Sequence, residues 1–184
     1  MAIGMKLTKA TGEYDLGCSK FFGTPTIPGE MLEELDGDLM FLAQIRLADI
    51  AALDPENILP HTGYLYFFVD GNAGYGSDVL AEVRYYPGEP DTAVDDFNEG
   101  FEIPGVCEDW LITFEEVEED ADGNKLLGVP YDWNYEDEPP MLLLQYDPLE
   151  TEAGFLSFMD GMAYFFAGED RKNFTDAVWH AEYS

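Results

Sequence analysis

The stretch Gly63-Tyr64-Leu65-Tyr66-Phe67-Phe68-Val69 constrains this chain more than any other. Six consecutive apolar or aromatic residues behind a glycine make a strand that needs cover on both faces, so it belongs at the centre of a sheet with layers on either side. The same Gly-x-x-Tyr-Phe-Phe frame returns as Gly161-Met162-Ala163-Tyr164-Phe165-Phe166. Two earlier motifs also recur in order. Lys20-x-x-Gly23-x-Pro25 corresponds to Lys125-x-x-Gly128-x-Pro130, and Phe41-Leu42-Ala43-Gln44 to Leu142-Leu143-Leu144-Gln145. The pattern predicts an internal duplication inside one domain, residues 1–184. Unit 1 covers about 19–87, an acidic linker with an extra strand fills 88–123, and unit 2 covers about 124–184. Units of roughly 60 residues are marginal alone, so the two are expected to share a core about a pseudo-twofold axis. The fold class expected is α+β: mainly antiparallel sheet built from two duplicated units, with a few short helices.

Local signals fill in this frame. Residues 1–18 show no clear period and read as a partly ordered lead-in with one short strand at most. Gly23, Pro25 and Pro28 specify a turning, extended path. Residues 29–36 allow one or two helical turns with Met31, Leu32 and Leu35 inward, stopped by Gly37. Leu39 to Leu47 reads as a strand, and Asp49 as the cap of a short helix ending before Asp54-Pro55. The glycine-rich stretch Asp70 to Asp78 reads as a hairpin loop into a strand over Val79 to Tyr86. Trp110, Ile112 and Phe114 alternate with polar positions, as in a half-exposed strand, and Glu115 to Asp122 reads as a solvated linker.

Charge decides which partners are open to such a chain. With 39 acidic residues against 8 basic ones, the net charge is −31, which repels phosphate backbones and anionic lipid. No nucleic acid and no membrane is expected as a partner. Hydrophobic content of 46% still argues for a packed core rather than disorder. The acidity has two readings: adaptation to habitat or solubility, and complementarity to a basic protein. A monomer is favoured, because such a surface repels its own copies at low salt. No apolar run has signal-peptide or membrane-span length, which points to the cytoplasm. Cys18 and Cys107 are too few for a disulfide framework and are expected to be free thiols.

Taken together, Ser19-Lys20-Phe21-Phe22-Gly23-Thr24-Pro25-Thr26-Ile27-Pro28, Phe41-Leu42-Ala43-Gln44-Ile45, Leu59 to Phe68, Leu126-Leu127-Gly128-Val129-Pro130, Leu142 to Gln145 and Asp160 to Phe166 resemble the YwqG-like family. That family is a bacterial domain of unknown function. The likeness runs over about residues 19–184. It implies an α+β fold built on antiparallel sheet with a duplication, and it carries no catalytic residues across.

The residues themselves offer no catalytic set. His61 and His180 cannot build a His-rich zinc site, and neither cysteine has a Cys-x-x-Cys partner. Glu118 to Asn124 has oxygen ligands at alternate positions, but Val129 stands where a calcium loop needs its bidentate glutamate. No cofactor and no metal is expected. Two functions remain. The first is a non-enzymatic acidic module that binds or neutralises a basic protein, as an immunity protein does. The second is a small-molecule-binding protein or enzyme with its site between the two units, for which Lys20, Gln44, Tyr66, Lys125, Gln145 and Tyr164 are the candidate ligand-binding residues.

Overall fold

The computed structural model describes residues 1–74, 76, 78–133 and 137–183. Its strands are β1 (Ala2–Lys9), β2 (Lys20–Phe21), β3 (Thr26–Ile27), β4 (Leu39–Arg46), β5 (Tyr64–Asp70), β6 (Ala81–Tyr86), β7 (Thr92–Ala93), β8 (Trp110–Val117), β9 (Lys125–Leu126), β10 (Leu142–Tyr146), β11 (Gly161–Phe166) and β12 (Val178–Tyr183). Ten of them form one sheet in the order β12-β11-β10-β9-β1-β8-β2-β4-β5-β6, while β3 and β7 pair separately. Neighbours run antiparallel throughout. The two ends of the sheet also approach each other. Gly76 N–H donates to the Ala181 carbonyl at 2.9 Å, and Ala181 N–H returns a bond at 3.2 Å. The sheet is thus a nearly closed barrel.

Both faces of the apolar strands are covered, as their composition requires. On the inner face Leu65, Phe67 and Val69 of β5 meet Leu143, Leu144, Phe165 and Trp179 in one large core. Phe67 and Phe165 touch edge to face with ring centres 5.2 Å apart, an arrangement that adds to their area burial. On the outer face Tyr64, Tyr66, Phe68 and Phe41 lie under Ile27, Met31 and Phe97. Leu142, Met162, Tyr164 and Phe166 form a smaller outer cluster with Trp133. Helix α1 (Gly29–Glu34) supplies Met31 to the first cover. The rest of both covers comes from loops and the short β3–β7 ribbon.

Tight turns send these loops over the sheet. After β2, Phe22 and Gly23 both take left-handed backbone angles (φ 53° and 68°), and after β9 so do Leu127 and Gly128 (φ 61° and 79°). At Gly23 a side chain would run into Asp109, and at Gly128 into the Glu119 backbone, so only glycine fits either place. The turns leave Phe22 and Leu127 in the core.

Three expectations need correction. The fold is not α+β: α1 has 6 residues and, beyond it, only three-residue 3-10 turns at Leu47–Asp49, Ala51–Leu53 and Pro148–Glu150 occur among the described residues. Nor does the structure show the expected duplication into two units. The middle of the sheet is β1 paired with β8, in register from Ala2 opposite Val117 to Lys9 opposite Trp110, so the lead-in and linker segments occupy the place where a boundary would lie. Residues 1–18 are therefore not a lead-in. Their alternation of Ile3, Met5 and Leu7 was diluted by Ala2 and Gly4, and an eight-residue strand results. Finally, Asp49 caps no helix; its carboxylate accepts hydrogen bonds from Ser19 and Arg46. The other expected strands and α1 lie within a few residues of their predicted places. Tyr75 and Ser77, in the glycine-rich stretch, lie outside the described residues.

Phe67 and Phe165 are 0% and 1% exposed. Phe67→Ala and Phe165→Ala should each cost about 3 to 5 kcal/mol in urea denaturation. The double variant should cost less than the sum, because the two rings share one contact.

Candidate functional site

The six residues singled out from the sequence lie on the outer face of the sheet, in two groups of three. In the first group Lys20 stands opposite Gln44, and Gln44 opposite Tyr66. In the second Lys125 stands opposite Gln145, and Gln145 opposite Tyr164. All six are at most 1% exposed. Gln44 accepts Thr26 N–H at 2.9 Å and donates to the carbonyls of Leu16 (3.0 Å) and Cys18 (2.8 Å). Tyr66 donates to the Thr26 carbonyl at 2.8 Å. Gln145 accepts Tyr131 N–H at 2.9 Å and donates to Gly123 O (2.7 Å) and Ala121 O (3.2 Å), while Tyr164 donates to Tyr131 O at 3.3 Å. These side chains satisfy loop backbone that would otherwise be buried without partners. They meet at no common point. The space between the two flanks of the sheet is the apolar core, closed by the Phe67–Phe165 contact.

The two lysines differ in what holds them. Lys125 Nζ donates to three carbonyls, Ala121 (2.6 Å), Val129 (2.7 Å) and Glu119 (3.1 Å). The acidic 118–124 segment is thereby wrapped around an internal ammonium. Burial pulls the Lys125 pKa down to about 8, against the opposing pull of Asp120, Asp122 and Glu119. Lys20 instead lies 2.7 Å from Asp109 Oδ1, a buried ion pair, at an angle that does not make a hydrogen bond. Its ammonium also sits 5.7 Å from the ring centre of Tyr14.

A cleft opens beside that ion pair, and sequence reasoning did not find it. It has a volume of about 480 Å³ and is bounded by Tyr14, Asp15, Cys18, Ser19, Arg46 and Asp49 on one side and by Leu53 and residues 111–114 on the other. Arg46 organises the polar side: its Nε donates to Asp49 at 2.9 Å and its Nη1 to Asp15 at 2.9 Å. Ser19 Oγ donates to Asp49 at 2.8 Å and accepts Arg46 N–H at 2.9 Å. Burial works against the Arg46 charge, but Asp49 and Asp15 more than offset it and hold its pKa above the ordinary value. Burial pushes the Cys18 thiol up in spite of Lys20 and Arg46 nearby, and it raises the Tyr14 phenol as well, with Asp109 adding to the effect. Neither group is an activated nucleophile. Ser19 has no imidazole beside it; His61 sits against Asp54 and His180 against Glu182, both at 3.3 Å and away from the cleft lining. The arrangement suits binding rather than covalent chemistry. Arg46 and Asp49 are only three residues apart, but Asp15 and residues 111–114 join them through the fold alone, so no local motif records the cleft.

Such a barrel, with outer-face polar clamps and a charged cleft on its side, defines a β-sheet domain. The chain belongs to the family described as a domain of unknown function, DUF1963, whose profile matches residues 19–110, half of its length. No curated protein matches it. No helix among the described residues is long and apolar enough to cross a membrane.

Lys125 gives a pH signature. Its folded pKa of about 8 lies below the usual 10.5, so between these values the unfolded chain holds a proton that the folded one has released. Its contribution to stability is then fully present above pH 10.5 and is lost as the pH falls through 8. Urea denaturation of the wild type and Lys125→Met at pH 7.0 and 9.5 should show the wild type gaining on the variant at the higher pH. A constant difference would refute the assignment.

Proposed function

We propose that this chain is a non-enzymatic acidic module of the YwqG-like kind, acting in the cytoplasm, that holds and neutralises a basic protein in the manner of an immunity protein. The observation that carries the reading is where its few cations go. Of the eight lysines and arginines, Lys20 and Lys125 are fully buried. Lys6, Lys9, Arg46 and Arg84 each lie 2.7 to 2.9 Å from a carboxylate. Arg171 and Lys172 remain, and among the described residues neither is paired with a carboxylate. The outside of the barrel therefore presents many carboxylates and, Arg171 and Lys172 aside, only cations already paired with one. Such a surface draws in a basic partner at long range and repels acidic ones and nucleic acid.

The half-exposed β1–β8 pair in the middle of the sheet offers a firm platform for that contact, since its ends are tied into the core through Ile3, Met5 and Trp110. Charge-driven association of this kind is steep in salt. Affinity capture from a lysate of the source cells should return one strongly basic protein at low ionic strength and much less of it near 0.5 M salt. Calorimetry with the purified partner should give an affinity that falls with salt. Recovery of no basic protein under either condition would refute the proposal.

A further inference from the structure

The Arg46 cleft lies on this acidic exterior and is built differently from the rest of it. Here Asp15 and Asp49 are held by hydrogen bonds at the edge of an open volume that also has apolar lining. Each of their four oxygens already accepts one hydrogen bond: Gly17 N–H and Arg46 Nη1 on Asp15, Arg46 Nε and Ser19 Oγ on Asp49. Each oxygen retains a second lone pair for a further donor. The charge lining the cleft is Arg46 against Asp15 and Asp49, leaving one negative charge over; Lys20 and Asp109 behind it cancel each other. The other wall, Leu53, Ile112 and Phe114, is apolar and half-buried. A cavity of about 480 Å³ falls in the range that holds a small ligand or one long side chain.

We infer that this cleft receives a lysine or arginine side chain of the basic partner, its methylene stem along Leu53, Ile112 and Phe114 and its cationic head donating to Asp15 and Asp49. This rests on the functional reading above and gives it a location. An anion is disfavoured by the net charge of −31, and a wholly apolar ligand would strip water from two carboxylates without replacing their hydrogen bonds. A cation on an apolar stem satisfies both walls, because long basic side chains bury their stems and keep their heads among polar groups. The two carboxylates need no rearrangement to accept it, so little ordering cost falls on binding.

The test uses agmatine, a dication whose four-carbon stem joins a guanidinium to an ammonium, with n-pentanol and valerate as neutral and anionic controls of similar stem. Titration into ¹⁵N-labelled protein should give saturable amide shifts confined to residues 14–19, 46–53 and 111–114 with agmatine alone. Thr113→Lys, at an exposed β8 position on the cleft wall, should weaken agmatine binding by at least about tenfold through like-charge repulsion, and Asp15→Asn should weaken it while leaving the fold intact. Unsaturable shifts scattered over the surface, or equal binding of valerate, would overturn the assignment. The same Thr113→Lys protein also separates this inference from the function. If a basic partner is captured equally well by wild type and variant, the location is wrong and the function stands. If agmatine saturates the cleft but no basic protein is captured, the cation site stands and the proposed function falls.

Discussion

The structure depends on one constraint: strands that are apolar on both faces must be covered on both, and this chain has hardly any helix to do it with. An α-helix brings its own hydrogen bonds to a covering layer, but a loop does not. Loops laid over Tyr66 and Tyr164 therefore bring buried carbonyls and N–H groups with them, each costing about 1 to 3 kcal/mol if left unpaired. Gln44, Gln145, Lys125 and the two tyrosine hydroxyls answer that need from the sheet beneath. The tight left-handed turns at Phe22-Gly23 and Leu127-Gly128 are the geometric half of the same solution, since they direct the chain out of the sheet and back across it.

This also explains which residues can act. A side chain whose hydrogen-bonding capacity is used up by loop backbone has nothing left for a ligand, so the amides and Lys125 serve the fold. The Arg46 cleft is of another kind: its guanidinium spends donors on Asp15 and Asp49 without exhausting either carboxylate. What separates the two sets is exposure: the amides and Lys125 are fully buried, while the side chains of Asp15 and Asp49 are 67% and 27% exposed.

Much of the sheet was legible in the chain. The apolar runs at Leu39–Arg46 and Tyr64–Asp70 identify β4 and β5 because two-sided burial forces a continuous apolar composition. The importance of Lys20, Gln44, Lys125 and Gln145 was visible too, as polar residues inside apolar strands, but their partners were not, because those come from loops. The central position of β1 was hidden by Ala2 and Gly4, small residues that suit crowded neighbours such as Val117 and carry no hydrophobic signal. The α+β expectation failed because the two helical stretches it rested on amount to the 6-residue α1 and a three-residue 3-10 turn at Ala51–Leu53. The cleft was illegible because it joins Asp15, Arg46 and Asp49 to residues 111–114 through long-range packing alone.

The nearly closed barrel carries one more consequence. Its seam is held, among the described residues, by the reciprocal Gly76–Ala181 pair, while every other joint in the sheet is a full ladder or a short strand anchored in the core. A closed barrel must break many bonds at once to open, but this one has a designated place to part. β1 and β8 lie at the far side of the circumference, so the platform proposed to meet a partner is the part of the sheet most remote from the seam.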